Sequence, residues 1–154
     1  MSYPDGSVTL GPGEGKTIKV PGHPMTFKAT KENTGGAYSL QEVTVDGEGP
    51  PQHIHKAEEE AWYVLEGELN IKIGENIIKG TAGSFVLIPR GTVHTFWNAG
   101  PTPAKLLGIL SSPGFELFFV ETIGDEEIDS VTFGERAMPV TEKYNLEVVE
   151  PPLG

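Results

Sequence analysis

Cysteine is absent from this chain of 154 residues. Its absence excludes disulfide bonds, thiolate metal ligands and cysteine nucleophiles. No uninterrupted apolar run approaches the roughly 18 residues of a membrane-spanning helix. The first residues show neither the basic nor the apolar region of a secretion signal. The sequence alone therefore predicts a soluble, cytoplasmic protein.

Basic residues are scarce. The chain has 11 Lys and Arg against 22 Asp and Glu, which gives a formal net charge of −11. A surface of this sign repels the phosphates of nucleic acids and the anionic headgroups of membranes. We therefore expect no nucleic acid and no membrane among the partners, and we look instead for a small-molecule substrate.

Glycine and proline are abundant by contrast, with 20 glycines and 13 prolines in the chain. Short runs rich in apolar and β-branched residues recur between them, so tight turns explain this composition better than disorder. Such runs cover residues 16–20, 25–30, 38–45, 60–66, 68–73, 84–88, 93–97 and 105–110. The pattern predicts an all-β sandwich or barrel, and the length suits a single domain.

The character of the sequence changes after Pro113. Phe115, Phe118 and Phe119 have the spacing of one face of a helix. Residues 125–133 and 139–144 are candidates for two further short helices. We therefore divide the single domain into N-terminal strands and loops, a barrel core and a C-terminal helical tail, over residues 1–36, 37–112 and 113–154.

Three of the four histidines, together with one glutamate, have the spacing of a metal site. His53 and His55 are two residues apart, so on a strand both side chains point to the same face. Glu60 follows five residues later, and His94 lies 39 residues beyond His55. That separation allows a neighbouring strand to return beside the first. Imidazole nitrogens and a carboxylate oxygen are suitable ligands for a divalent first-row metal.

Glycine and proline frame these residues in two segments, residues 47–67 and 83–98. In the first, gaps of five, one, four and six residues separate Gly47, His53, His55, Glu60 and Gly67. In the second, gaps of five, one, two and three residues separate Gly83, Pro89, Gly91, His94 and Asn98. Without a gap, the two segments resemble the two motifs of the cupin superfamily. Residues 59–68 and 114–116, with Tyr144, are similar to small single-domain cupins described as quercetin dioxygenase-like.

The resemblance implies a cupin double-stranded β-helix, a jelly-roll barrel, followed here by the short helical tail. It implies that His53, His55, Glu60 and His94 bind one divalent transition metal ion. This donor set accepts Fe, Mn, Ni, Co, Cu or Zn. The resemblance also implies a homodimer in which residues 7–20 exchange strands between two copies.

Strand alternation predicts which side chains line a pocket beside the metal. Alternation proposes Trp62, which has the parity of Glu60, and Phe96, which has the parity of His94. Tyr38, Phe85 and Phe115 are proposed as further aromatic side chains of the wall. An aromatic wall of this kind suits a planar phenolic or enolic substrate. A metal ion acidifies a bound hydroxyl, and Glu60 is the expected catalytic residue, either as a ligand throughout or as a base.

Three functions are open at this point. The first is a metal-dependent dioxygenase that uses O2 to attack a flavonol-like, phenolic or enolisable small molecule. The second is an isomerase or cyclase that uses the same metal without O2, and the third is a non-catalytic small-molecule-binding protein. His23 is interpreted as a solvated loop residue, and Glu58 as a solvated side chain or a group that orients a ligand histidine.

Overall fold

The computed structural model describes residues 2–154. Strands follow one another through the first two thirds of the chain, and short helices and a last strand complete it. In chain order the strands are β1 (Lys16–Ile18), β2 (Met25–Ala29), β3 (Ser39–Val45), β4 (Gln52–His55), β5 (Glu59–Glu66), β6 (Glu68–Ile73), β7 (Asn76–Thr81), β8 (Phe85–Ile88), β9 (His94–Asn98), β10 (Ala104–Ser111) and β11 (Leu146–Glu150). The helices are α1 (Glu116–Thr122) and α2 (Ser130–Ala137), with 3₁₀ turns at Met138–Val140 and Glu142–Tyr144.

The strands form two antiparallel sheets in the described part of the chain. One sheet has the order β1-β2-β3-β10-β5-β8, and the other has the order β11-β4-β9-β6-β7. Neighbours in the chain repeatedly lie in different sheets, so the chain crosses between the two layers as a jelly roll requires. This arrangement confirms the expected all-β fold with short helices near the C-terminus.

Side-chain alternation places the core between the sheets. In β3 the buried positions are Ser39, Gln41, Val43 and Val45, and the residues between them are only partly buried. Strand β10 repeats this pattern through Ala104, Leu106, Gly108 and Leu110. A period of two is the signature of a sheet with one buried face, so both strands present their inner rows to the opposite sheet.

The turn between β5 and β6 shows why glycine frames the first motif. Gly67 has a φ of +78°, and a Cβ at this position would lie 2.8 Å from the Cα of Ala104. Only glycine adopts this conformation without strain and allows the close approach. The turn therefore reverses the chain where β5 leaves one sheet and β6 enters the other.

The C-terminal tail differs from the sequence prediction in two respects. The second helix runs over Ser130–Ala137 rather than residues 125–133, because the Asp129 carboxylate accepts a hydrogen bond from Thr132 N and caps the helix there. The tail then ends in a strand, since β11 pairs with β4. The chain after residue 113 is therefore both helical and part of the five-stranded sheet.

Strand β1 pairs antiparallel with β2 of the same chain and forms the edge of the six-stranded sheet. Strand exchange with a second copy through residues 7–20 stays a prediction. No helix in residues 2–154 has both the length and the apolar character needed to cross a membrane.

Candidate metal centre

Four side chains from three strands and both sheets converge between the layers. His53 and His55 lie on β4, and His94 lies on β9, directly opposite His53 in the ladder. Glu60 comes from β5 in the other sheet. The two histidines of β4 point inward together because they are separated by one residue on a strand. The structure thus brings together all four residues that the sequence motifs singled out.

The distances among these groups fit a shared cation. One candidate ligand atom from each residue lies within 4.8 Å of the others. Glu60 Oε1 is 2.9 Å from His94 Nε2 and 3.6 Å from His55 Nε2. Two ligand atoms bound to one ion at about 2.1 Å lie about 3.0–3.4 Å apart in octahedral or tetrahedral geometry. The observed separations bracket that range.

Backbone carbonyls orient two of the imidazole rings. His53 Nδ1 lies 2.7 Å from the carbonyl oxygen of Pro51, and His94 Nδ1 lies 2.8 Å from that of Thr92. A neutral imidazole carries one N–H, which here donates to the carbonyl and leaves Nε2 as the free lone pair. His94 Nε2 nevertheless faces a carboxylate oxygen, so a proton or a cation must lie between them. This donor set and its orientation fit a divalent metal.

The third imidazole has a carboxylate behind it. Glu58 is buried, and its Oε2 lies 3.4 Å from His55 Nδ1 without reaching hydrogen-bond geometry. A carboxylate at the distal nitrogen of a ligand histidine fixes the ring and raises its basicity. Of the two roles considered for Glu58, the structure therefore excludes the solvated one.

The electrostatics of the cluster favour an ionised Glu60 and a neutral His53. Burial alone would raise the pKa of Glu60, but the hydrogen bond with His94 and the charges of the surrounding imidazoles lower it to about 2. Burial, followed by the neighbouring His94 and His55, lowers the pKa of His53 well below its ordinary value. Metal ligands must be deprotonated, and both shifts favour that state at neutral pH.

Trp62 fixes the second oxygen of Glu60. The indole Nε1–H donates a hydrogen bond of 2.9 Å to Glu60 Oε2. Because Trp62 is 2 % exposed, water does not compete for this bond. The carboxylate is therefore held with Oε2 on the indole and Oε1 toward the imidazoles.

A cavity of about 60 Å³ adjoins the cluster. Apolar side chains dominate its wall, and Trp62, Phe96 and Phe115 belong to it. Phe115 precedes α1, and its ring packs edge-on against His55 with 4.5 Å between centroids. The tail therefore covers one side of the site.

Two of the predicted pocket residues lie elsewhere. Phe85 is 62 % exposed and Tyr38 is 42 % exposed, and neither belongs to the cavity wall. Alternation along β8 explains the first correction, because Val86 and Ile88 point inward and Phe85 points out. Tyr38 precedes the first inward residue of β3, Ser39, and so takes the outward parity.

His23 and Gln41 are cavity residues that the sequence analysis did not identify. His23 was expected in solvent, but it is 6 % exposed and its ring packs against Phe96. His23 Nδ1 and Gln41 Oε1 are both buried without a hydrogen bond. A signal was present for Gln41, which is two residues before inward Val43 on β3. His23 lies in the turn before β2, where strand alternation gives no signal.

Asn98, the last residue of the second motif, has a structural role. Its Nδ2 donates hydrogen bonds to the carbonyl oxygens of Val45 and Thr102, and its Oδ1 accepts one from Gly100 N. These bonds close the connection between β9 and β10. They hold the end of the strand that carries His94.

Comparisons with known proteins agree with this fold. A family model described as "Cupin domain" matches residues 39–110. Quercetin 2,3-dioxygenase of Bacillus subtilis (strain 168) is 29% identical over 96% of this chain and 46% of its own length. Germin-like protein 1 of Brassica napus is 31% identical over 54% of this chain and 45% of its own length. The chain thus spans about half the length of these curated relatives.

Solved structures show the same architecture. KdgF from Halomonas sp. superposes with a TM-score of 0.64 at 16% identity, over 72% of this chain and 98% of that chain. At this identity the likeness concerns the fold. The two-sheet topology, the matched domain and the convergence of three histidines and a glutamate together lead to one assignment: this chain belongs to the cupin superfamily and carries a His₃Glu candidate metal site.

Proposed function

We propose that this chain is a metal-dependent dioxygenase that acts on a flavonol-like, phenolic or enolisable small molecule. The observation that carries the proposal is the buried cluster of three imidazoles and one carboxylate beside an apolar, aromatic-walled cavity. The similarity to quercetin 2,3-dioxygenase over nearly the whole chain supports the same class of reaction.

The four ligand side chains define what the site does to a substrate oxygen. A divalent cation held by His53, His55, Glu60 and His94 supplies Lewis acidity, which favours the deprotonated form of a substrate hydroxyl. Substrates whose enolate or phenolate is electron-rich are the ones that O2 can attack. The site therefore selects molecules with an acidic hydroxyl next to an unsaturated system.

Glu60 is the catalytic residue in this proposal. Its Oε1 faces the imidazoles, while Trp62 holds Oε2. A substrate hydroxyl that reaches the cluster meets this carboxylate as its nearest proton acceptor. Trp62 acts through Glu60, because the indole N–H prevents the carboxylate from rotating away.

The surrounding wall orients the substrate and excludes water. Trp62 and Phe96 pack edge to face at 5.0 Å, and Phe115 packs edge-on against His55. Aromatic edges and faces favour planar unsaturated molecules over flexible polar ones. A reactive enolate is protected from bulk solvent in such an enclosure.

Oxygen consumption tests the proposal. Untagged protein reconstituted separately with Fe, Mn, Ni, Co or Cu is mixed with quercetin, simple phenols and enolisable diketones in an oxygen-electrode cell. We expect O2 uptake that depends on both substrate and metal. Glu60→Gln should lower the rate by about 100-fold. Glu59→Gln is the matched control, because Glu59 is exposed and outward-facing on the same strand.

The same assay distinguishes the other two functions. Substrate conversion that persists without O2 would replace the dioxygenase with a metal-dependent isomerase or cyclase. Metal-loaded protein that converts none of the substrates but gains thermal stability from one of them would be a binding protein. Equal rates in Glu60→Gln and the wild type would contradict the role of Glu60.

A further inference from the structure

The cavity beside the cluster is too small for a whole planar substrate. Its volume is about 60 Å³, whereas pockets for ligands of drug size have volumes of about 300–1,000 Å³. Only a compact group of a few atoms fits there. The rest of any larger substrate must lie outside this cavity.

A second cavity of about 330 Å³ begins where the first ends. It lies between the barrel and the C-terminal tail, and we call it the tail groove. The residues that line both cavities are His23, Pro50, His53, Phe115 and Phe119. One of them, His53, is a candidate metal ligand, so the groove reaches the centre itself. Two larger surface grooves, of about 610 and 440 Å³, contain none of the four ligand residues.

The tail groove has an aromatic wall. Phe115 and Phe118 stack with an interplanar angle of 12° and 5.0 Å between centroids. Phe133 of α2 packs edge-on against Phe118, and Met138 lies at the end of that helix. Flat aromatic faces and a polarisable thioether suit a planar apolar ligand. Glu48 is the acidic side chain in this wall, and it disfavours an anionic body.

His23 stands where the two cavities meet. It lines both of them, is 6 % exposed, and has a buried Nδ1 without a hydrogen bond. The Pro21 carbonyl opposes the effect of burial on the pKa of His23, but it forms no hydrogen bond of acceptable geometry with Nδ1. Buried polar atoms are nearly always paired in native proteins. A ligand that passes from the cluster into the groove would supply the missing partner.

We propose that the tail groove is the binding site for the planar apolar body of the substrate, whose oxygen-bearing head lies at the metal centre and contacts His23 where the two cavities meet. This inference rests on the proposed metal-dependent function and adds the place where the body of the substrate binds. The ligand has a compact, chelating oxygen head and a neutral body of one or two aromatic rings. Residues of the tail, Phe118, Phe133 and Met138, then determine specificity.

Two probes with one head and different bodies test this inference. 3-Hydroxyflavone and maltol share a 3-hydroxy-4-pyranone head, but only the first carries additional aromatic rings. Dissociation constants are measured by absorbance titration against the Zn-loaded protein without O2. We expect 3-hydroxyflavone to bind at least about tenfold more tightly than maltol, because the groove buries the apolar surface of its additional rings.

Two variants of similar exposure give a matched comparison. Met138 directly follows α2, lines the groove and is 56 % exposed. Val131 lies in α2, is 70 % exposed and does not line the groove. Met138→Glu should lower the affinity for 3-hydroxyflavone by about tenfold and leave the affinity for maltol unchanged. Val131→Glu should change neither probe. His23→Leu should weaken both probes by about threefold or more, because it removes a hydrogen bond near the shared head.

The outcomes separate this inference from the proposed function. If the protein holds Zn but binds the two probes equally, or binds neither, the groove is not the substrate site and the metal centre is unaffected. Equal losses of affinity for 3-hydroxyflavone in Met138→Glu and Val131→Glu would also overturn the assignment of the groove. Unchanged affinities in His23→Leu would remove His23 from the site. Failure to hold any metal would refute the metal-dependent function itself.

Discussion

Several buried polar side-chain atoms of the described residues make no hydrogen bond. The side-chain atoms in this state are His23 Nδ1, Ser39 Oγ, Gln41 Oε1, His55 Nδ1 and Glu58 Oε2. Each unpaired atom costs stability, commonly about 1–3 kcal/mol. A barrel interior that accepts this cost is suited to binding polar ligand atoms.

His23 gives a stability prediction at this scale. Burial lowers its pKa from 6.5 to about 4. The imidazole is therefore protonated near pH 6.5 in the unfolded chain but only near pH 4 in the folded chain. The unfolding free energy therefore falls as the pH drops through this window. His23→Leu removes this linkage. Between pH 7 and pH 5 we therefore expect the unfolding free energy of the wild type to fall by about 2 kcal/mol more than that of the variant.

Urea unfolding of both proteins with a chelator at the two pH values measures this difference. The titration of His53 affects both proteins alike and cancels in the comparison. If the two stability curves run parallel between pH 7 and pH 5, His23 is not buried in its neutral form.

Alternation along strands predicted some pocket residues and misplaced others. Trp62 shares the parity of Glu60 and Phe96 that of His94, and the structure places both in the cavity wall. Phe85 was assigned by its aromatic character alone, although its parity is opposite to that of the inward residues of β8. The position of His23 depends on the turn before β2, and a sequence does not specify where such a turn packs.

Strand β4 is the element on which the centre depends most. It carries two of the four ligands, contacts β9 through the His53–His94 pair, and pairs with β11 along its length. Gln52 donates a hydrogen bond to the Pro151 carbonyl and so ties the start of β4 to the tail. The tail strand therefore supports the ligand strand from one side.

Removal of the tail strand should loosen the metal site. We expect deletion of residues 146–154 to lower the affinity for Zn by about tenfold or more, because β4 loses its neighbour and the ligand rings lose their fixed orientation. Competition with a chromophoric chelator measures the affinity, and far-UV circular dichroism checks that the sheets persist.

Glu147→Ala is the control for this deletion. The Glu147 side chain makes an exposed ion pair of 3.8 Å with Lys56, and such pairs contribute little. A folded deletion protein with the affinity of the wild type would show that β11 does not support the site.

The predicted runs omitted β7 and β11, the two edge strands of the five-stranded sheet. Strand β7 has little buried surface, so its sequence shows no alternation between apolar and polar residues. Strand β11 is also an edge strand, and its pairing with β4 across more than 90 residues leaves no local signal. The central strands were predictable because both their alternation and their bounding glycines are encoded locally.

The whole molecule is a small jelly roll in which the two sheets contribute complementary parts of one site. The five-stranded sheet supplies three imidazoles, and the six-stranded sheet supplies the carboxylate and the indole that holds it. The spacing of the two motifs predicted this convergence because it reflects strand crossings of the fold. The tail groove was not predictable, since it depends on how α1, α2 and β11 pack against the barrel.

The metal content of the protein tests the central claim most directly. Untagged protein and its His94→Ala variant are purified without chelators, and their metals are counted by mass spectrometry. We expect about one equivalent of a divalent transition metal per chain in the wild type and a large loss in the variant. No bound metal after reconstitution with each candidate ion, or equal binding by the variant, would contradict the assignment of His53, His55, Glu60 and His94 as a metal centre.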